Sequence, residues 1–456
     1  MVIFKNKKDL IFLVAVIIIH LIYFSISVFQ NNYYPFSGSN YKISDSYQYL
    51  VEAENIINNG VFYSGDLSLP INPIFYTIRP PGYPIFLALF NYFNASLAVV
   101  LFFQNIISII SIFLVRKTIL LFNYKTAYDP LFIILLILTP SQFIYANAIL
   151  TEVVFQLFLV LMFRYAILFL KFKTYKNVLW YSLALIIATY IKPAMYLFVI
   201  PSTLYMVYLS FKQKKWYPVI VSVLPILAIV FILNWNYKRT NHYQYSSIQT
   251  INLLDYNLKF FLLSREGEEK TTKILDSIHN RANLEKSFAE KTNYLDNASK
   301  NILKEHIFPY TFYHLQGSLY AILDPGRFDL AYFFKLKSKN ANQKGILYHI
   351  NNGGIKSVLR FLFNSYSLSL LFVLGIIIFF NTIKLFGFIY FLFNKSIKLN
   401  FRFITACLFF YIVLLVGPVG ASRYLMPLVP IIIGACLMNT TIVEYILKKL
   451  KLASAN

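Results

Sequence analysis

The chain has little charge and almost no cysteine. Only 13% of its 456 residues are charged, whereas 58% are hydrophobic. A soluble domain usually carries about 25% charged residues, so too few polar side chains are present to cover a surface in water. The two cysteines, Cys407 and Cys436, both lie within apolar runs. Their placement excludes a disulfide framework and gives no metal-ligand spacing, and we expect neither a metal nor a cofactor.

Carboxylates are also scarce, since 19 acidic residues face 42 basic ones and the net charge is +23. An excess of this size could indicate a nucleic-acid partner. The lysines and arginines, however, form short clusters between apolar runs instead of one continuous stripe. That distribution is typical of a positive-inside membrane protein and predicts no nucleic-acid partner. The clusters are Lys5/Lys7/Lys8, Arg116/Lys117/Lys125, Lys171/Lys173/Lys176, Lys212/Lys214/Lys215, Lys395/Lys398/Arg402 and Lys448/Lys449/Lys451.

Long apolar runs are what the chain does contain. Several approach the roughly 20 residues that a helix needs to cross a bilayer, and they are continuous instead of alternating. We therefore predict an all-α polytopic membrane protein with about ten transmembrane helices. With ten spans all six basic clusters fall on one side, which predicts cytoplasmic termini and the cell inner (plasma) membrane. The predicted spans are 10–29, 97–115, 129–146, 150–170, 178–191, 194–210, 218–235, 364–393, 403–418 and 424–446.

Three regions follow from this pattern. Residues 1–235 form an N-terminal transmembrane module whose first outer loop covers 30–96. Residues 236–363 form an outer segment enriched in charge and asparagine, which we predict to be mostly helical. Residues 364–456 hold the C-terminal transmembrane helices.

The first outer loop holds an unusual group of charges. Ser44 and Asp45 are good helix-start residues and Asn58-Asn59-Gly60 is a good helix stop, which predicts a helix between them. Asp45, Tyr49 and Glu52 share one side of it. An apolar stripe at helical spacing predicts that the helix lies in the membrane interface. An ionised Asp45 could accept a proton from an acceptor hydroxyl, or it could simply cap a surface helix. The apolar stripe on the other side consists of Tyr47, Leu50, Val51 and Ile57.

Three cations and one more carboxylate are predicted on the same membrane face. Arg79 precedes two prolines that stiffen the turn, Lys192 precedes Pro193, Arg423 opens the last span and Glu152 begins another. Each of them alone is more often structural, and Arg79 could bind lipid headgroups. Together they indicate a site for an anionic lipid and a neutral acceptor, because guanidinium groups bind phosphate well.

Several segments resemble a known family. RPPGYPIFLALF (79–90), LTPSQFIYANAILTEVVF (138–155), YIKPAMYLF (190–198), LKEHIFPYTFYHLQG (303–317) and SRYLMPLVPIIIG (422–434) occur in the family's order. The chain thereby resembles the membrane glycosyltransferases of the GT-C class, closest to the protein O-mannosyltransferases and lipid A aminoarabinose transferases (glycosyltransferase family 39-like). Ser46 follows Asp45 where protein mannosyltransferases carry glutamate, which argues against protein mannosylation.

The resemblance implies a GT-C-like bundle and a function. The enzyme would move a sugar, with inversion, from a polyprenyl-phosphate donor to a lipid, glycan or protein acceptor on the outer face. Asp45 matches the family's catalytic aspartate, with Glu52 or Glu152 in support. Arg79, Lys192 and Arg423 match positions beside the donor phosphate.

Two alternatives remain open from the sequence. An undecaprenyl-linked polysaccharide ligase or polymerase would use outer-segment histidines, and His306 and His314 are available. A lipid or polysaccharide transporter is less favoured, because no internal repeat is visible and the charges lie at the outer edge of the predicted spans.

Overall fold

The computed structural model describes residues 7–30, 45–122, 124–212, 214, 216–336, 346–365 and 367–438. Within these ranges all regular structure is helical and no strand occurs. The N-terminal part of the chain contains ten α-helices in these ranges: α1 Lys7–Phe29, α2 Asp45–Asn59, α3 Gly82–Tyr92, α4 Leu97–Ile119, α5 Asp129–Ile137, α6 Ser141–Ala146, α7 Glu152–Phe172, α8 Tyr175–Ile191, α9 Val199–Lys212 and α10 Tyr217–Thr240.

The segment after α10 is also helical, as the sequence predicts. A π-helix at Asn252–Leu258 follows its first short helix. The α-helices are α11 Ile248–Ile251, α12 Lys259–Glu266, α13 Glu268–Ala282, α14 Phe288–Glu305, α15 Ile307–Leu323, α16 Arg327–Phe333 and α17 Ile346–Ser365. The C-terminal helices are α18 Leu368–Phe393, α19 Leu399–Val416 and α20 Val429–Leu437.

Six of these helices are long and apolar enough to cross a membrane, namely α1, α4, α7, α10, α18 and α19. A helix of about 20 residues is roughly 30 Å long, which matches the hydrocarbon thickness of a bilayer. The chain is therefore a multi-pass helical membrane protein, and this part of the prediction is confirmed. The count of ten spans stays a prediction.

The four other predicted spans are short or broken. Pro140 separates α5 from α6 within 129–146, because proline lacks the N–H that continues a helix. Lys192 is extended between α8, of 17 residues, and a 3-10 turn at Pro193–Met195 before α9, of 14 residues. The last predicted span, 424–446, starts as a 3-10 helix and continues as α20, and its end lies outside the described residues.

Helix α7 lies at the centre of the main core. It packs against α4 and α8, and the Leu159, Val160, Phe163 and Ile167 side chains are almost completely buried. Its first residue is Glu152, so the polar start of α7 is fixed in position by the most tightly packed helix of the bundle.

At the end of the bundle opposite the start of α7, a buried ion-pair cluster joins α1, α4 and α5. The Arg116 side chain has no solvent exposure and donates to Asp9 over 2.6 Å. It also donates two hydrogen bonds to Asp129, over 2.9 and 2.7 Å. Lys117 donates to the second oxygen of Asp9 over 2.6 Å, and the Tyr124 hydroxyl donates to Asp129 over 2.8 Å. Two cations and two carboxylates thus compensate each other in this cluster.

The segment after α10 has a smaller core of its own. The cluster of buried residues there is Leu254, Leu258, Phe261, Leu262, Leu275, Ile278 and Leu303. Gly267, with φ of +80°, turns the chain between α12 and α13. A capping box of Ser287 and Glu290 starts α14. These local signals explain why a polar stretch folds into packed helices beside the membrane bundle.

Candidate functional site

The loop after α1 forms the predicted helix α2, which begins at Asp45 and ends at Asn59. Its polar side faces the protein, since Tyr49 and Glu52 are buried. Its apolar stripe is only half-buried, and Ile57 is exposed. A helix that buries carboxylates against protein and leaves leucine-like residues outward suits the edge of a membrane, where the outward side meets lipid.

The turn around Arg79 brings this loop close to α8. Pro80 and Pro81 lead into α3, whose first residue is Gly82. A Cβ atom added to Gly82 would lie 2.7 Å from the Tyr190 carbonyl oxygen, so only glycine permits this approach. Tyr190 lies two residues before Lys192. The close approach therefore holds the Arg79 turn beside the break that carries Lys192.

Five charged side chains form a continuous chain of ion pairs at this end of the bundle. Arg79 Nη2 donates to Asp45 Oδ1 over 2.6 Å, and Arg423 Nη2 donates to Asp45 Oδ2 over 2.9 Å. Arg423 Nε also donates to Glu152 Oε1 over 2.7 Å. Lys192 Nζ lies 3.2 Å from the same Glu152 oxygen. The order is Arg79, Asp45, Arg423, Glu152 and Lys192, and we call it the charge chain.

The charge chain is collected from four distant parts of the sequence. Its three cations and two carboxylates leave one net positive charge. Glu152 has no exposed side-chain surface, whereas the Asp45 side chain is 35% exposed. Aromatic rings support the cations: Arg79 lies over Tyr49 at 5.0 Å, and Lys192 lies between Phe155 and Tyr424 at 5.5 and 5.3 Å. The chain is therefore fixed at Glu152 and opens to solvent at Asp45.

Asp45 is held as an anion. Burial alone would raise the pKa of its carboxyl, but the guanidinium groups of Arg79 and Arg423 outweigh burial and hold this pKa well below the ordinary value. A carboxylate with two guanidinium partners is a weak proton acceptor. Asp45 becomes a useful base only if another anion takes one of those partners.

Glu52 lies outside the charge chain. Its side chain is buried, and Oε2 has no hydrogen-bond partner among the described residues. Burial raises the pKa of Glu52 well above the ordinary value, and the charges of Arg239 and Arg79 only partly oppose this. Of the six predicted site residues, the structure thus joins five directly, and it places Glu52 on the same helix as Asp45 with a buried carboxyl group.

Sequence reasoning missed a second carboxylate pair behind Arg423. Asp324 Oδ2 accepts a hydrogen bond of 2.7 Å from the Ser422 backbone N–H. Asp329 is hydrogen-bonded to Tyr145, and it lies within electrostatic range of Arg423 and Glu152. Both aspartates belong to the long segment after α10, whose charges carry no weight in a topology argument. In the sequence, Asp324-Pro325-Gly326 indicates only a turn.

Asp329 should make stability depend on pH. Burial raises the pKa of Asp329 to about 6, with the Tyr145 hydrogen bond opposing and the Asp324 charge assisting the rise. A raised carboxyl pKa stabilises the fold fully below pH 4, and this contribution is lost as pH rises through 6. We expect Asp329→Asn to raise the melting temperature relative to wild type clearly more at pH 7.5 than at pH 4.5.

The comparison variant is Asp324→Asn. Asp324 accepts hydrogen bonds from the backbone N–H groups of Ser422 and Gly326, so its replacement should destabilise at both pH values. Thermal unfolding in detergent at the two pH values measures both effects. A pH-independent shift for Asp329→Asn would contradict the assignment.

A small apolar cavity of about 60 Å³ lies in the same region, and none of its described lining residues belongs to the charge chain. Ser422, next to Arg423 in sequence, lies on its wall together with Asp324. Lys384 also lines it and donates to Thr139 of the α5–α6 connection. Arg164 likewise donates to Thr118 over 3.0 Å, so both of these charges inside spans make polar contacts between helices. The apolar part of the wall is Ala321, Ile322, Ile377, Leu385, Phe388, Phe409, Leu425, Val429 and Ile432.

The two histidines proposed for a ligase or polymerase, His306 and His314, have structural contacts. His314 Nε2 lies 2.6 Å from the Leu414 carbonyl oxygen, and Nδ1 lies 3.1 Å from the Tyr310 hydroxyl. His306 ends α14 and its ring packs against Phe261. Neither histidine contacts the charge chain.

The fold and the charge chain define a helical multi-pass membrane protein with a largely buried, cationic ion-pair site at one end of its helices. No family model, no curated protein and no solved structure matches this chain. In the part of the chain that the structure describes, no group of three or more histidine, cysteine, aspartate or glutamate side chains could hold a metal ion.

Proposed function

We propose that this protein is a membrane glycosyltransferase that moves a sugar from a polyprenyl-phosphate donor to a lipid, glycan or protein acceptor. The reaction would take place at the outer face of the inner membrane, with both termini cytoplasmic. The observation that carries the proposal is the charge chain, which gathers three cations around two carboxylates at one end of the spanning helices. Ionisable groups at such a position are costly, and a function explains why they are kept.

Donor binding would use the cations. A phosphate that enters at the exposed Asp45 side meets Arg423 and Arg79, and it can replace the carboxylate as their partner. Lys192 adds a third positive charge through Glu152.

The chemical step would be a direct displacement. The acceptor oxygen forms a bond to the anomeric carbon while the bond from that carbon to the phosphate oxygen breaks. The acceptor proton passes to Asp45, which the incoming phosphate has released from a guanidinium group. The prenyl phosphate leaves with the electron pair, and the three cations stabilise the charge that gathers on it. Inversion follows from attack opposite the leaving group.

The test is a release assay with purified protein in vesicles that contain a membrane-lipid extract as acceptor. A panel of undecaprenyl-phosphate pentoses and hexoses serves as donor, and mass spectrometry measures undecaprenyl phosphate and the product. We expect release from wild type, and a loss of about 100-fold or more for Arg423→Gln.

The matched control is Arg265→Gln. Arg265 lies in α12 with an exposed side chain and one ion pair of 3.4 Å to its neighbour Glu266. This variant should leave release unchanged, since the described ion pair of Arg265 does not involve the charge chain. Equal release from wild type and Arg423→Gln, or none with any donor of the panel, would contradict the proposed function.

A further inference from the structure

The end of the bundle opposite the charge chain carries a second, separate pocket. Helix α7 begins at Glu152 and ends beside Lys173, about 30 Å away along the helix axis. There, the end of α7, the end of α9 and the start of α19 enclose a cavity of about 750 Å³. Its lining is Leu170, Lys173, Tyr205, Tyr208, Leu209, Lys212, Lys214, Leu399, Asn400 and Phe403.

The polar part of the lining has one sign of charge. Lys173, Lys212 and Lys214 contribute three ammonium groups, and none of the described lining residues is a carboxylate. This contrasts with the Arg116 cluster at the same end of the bundle, where two carboxylates compensate two cations. Lys173 and Lys214 both have left-handed backbone conformations, with φ of 54° and 53°. The N–H of Lys173 is bonded back to Phe169, so its side chain starts from a fixed turn.

The other part of the lining is apolar and open. Leu399, Phe403 and Tyr208 are exposed large side chains that line the cavity beside the lysines. Tyr205 packs against Phe403 with ring centroids 5.3 Å apart. A small soluble anion would need only the lysines. A ligand with both an anionic head and a hydrocarbon chain would use both parts of the wall.

We propose that this cavity binds an anionic diacyl phospholipid, with its headgroup phosphate among Lys173, Lys212 and Lys214 and an acyl chain along Leu399 and Phe403. The position at a membrane end of three helices fits such a lipid, since basic pockets between transmembrane helices bind acidic headgroups. The volume accommodates a glycerophosphate headgroup. This site is independent of the proposed transfer reaction.

The test uses the full chain in detergent with one of three additives: dioleoylphosphatidylglycerol, dioleoylphosphatidylcholine or inorganic phosphate. Melting temperature and native mass spectrometry of retained lipid are the readouts. Phosphatidylglycerol should raise the melting temperature and remain bound, whereas phosphatidylcholine and inorganic phosphate should not. In K173Q/K212Q/K214Q, its affinity should fall on the order of 100-fold, because each neutralised lysine accounts for about fivefold.

The matched control is K176Q/K395Q/K398Q. These lysines flank the same helix ends, but they do not line the cavity. Their replacement removes the same number of positive charges. This variant should bind phosphatidylglycerol like wild type. K173R/K212R/K214R should also bind it, which guards against misfolding of the glutamine variant. Equal losses of phosphatidylglycerol affinity in both glutamine variants would overturn the proposal, because the lysines would then attract the lipid only through non-specific electrostatics. Equal stabilisation by inorganic phosphate would also overturn it.

Discussion

Replacing Arg116 with methionine should lower the free energy of unfolding by about 3–5 kcal/mol. Arg116 is the shared partner of Asp9 and Asp129, and its side chain has no solvent exposure. Methionine keeps the packing on Phe12, over whose ring the guanidinium lies at 4.8 Å. Among the described residues, it leaves Lys117 as the partner of Asp9 and Tyr124 as the partner of Asp129. The cost comes mainly from carboxylates that lose a charged partner in a place where water cannot replace it.

Two further variants test this cause. Arg164→Met removes an arginine whose described contact is a single hydrogen bond to Thr118, so it should cost only about 1 kcal/mol. The triple variant Arg116→Met/Asp9→Asn/Asp129→Asn should recover at least half of the loss, because it leaves no unpaired carboxylate. Unfolding in mixed micelles with increasing sodium dodecyl sulfate measures all three. A triple variant less stable than Arg116→Met would show that the guanidinium contributes through packing instead.

The sequence predicts the helical class and the charges of the site, but not their partners. Continuous apolar runs and basic clusters are enough to identify a multi-pass helical membrane protein. The charges of the loop after α1 stand out because carboxylates are rare elsewhere in the short loops. Asp45 and Arg423, however, are 378 residues apart, and their ion pair depends on how α2 packs against the segment before α20. No local pattern specifies that contact.

The helix count and the Arg116 cluster illustrate the same limit. Hydropathy over 129–146 is continuous, yet Pro140 ends one helix there and another starts, so the predicted span became two short helices. Arg116 and Lys117 match the pattern of cations that flank a span. Their partner Asp9 is 107 residues from Arg116. Sequence alone does not separate a cation that reaches into headgroups from one that is paired inside the bundle.

Asp329 and Glu52 show that the pKa of a carboxyl group depends on contacts that the sequence does not specify. Burial raises the pKa of both carboxyl groups, whereas Asp45 on the same helix as Glu52 has a lowered pKa. The difference is a matter of partners, since Asp45 has two guanidinium groups, whereas Oε2 of Glu52 has no hydrogen-bond partner among the described residues. The sequence placed Asp45 and Glu52 on one helix side and could not show that their pKa values shift in opposite directions.

Asp45→Asn should separate donor binding from the chemical step. If the proposed transfer holds, Asp45 has two functions: it neutralises Arg79 and Arg423 before the donor arrives, and it takes the acceptor proton afterwards. Asparagine removes one negative charge, so the net charge of the charge chain changes from +1 to +2. We expect kcat to fall by about 10²–10⁴-fold, the usual contribution of a general base. The affinity for the polyprenyl-phosphate donor should stay the same or increase, because no carboxylate then competes with its phosphate.

Glu54→Gln is the matched control, because Glu54 belongs to the same helix α2 and is exposed on its outer side. It should change neither constant. Donor affinity can be measured without turnover, from the rise in melting temperature with donor concentration. If Asp45 were purely structural, its replacement with asparagine would lower stability, donor affinity and kcat together. Normal turnover in Asp45→Asn would remove Asp45 as the base, and the buried carboxyl of Glu52, whose raised pKa makes it the stronger base when ionised, would then be the next residue to replace.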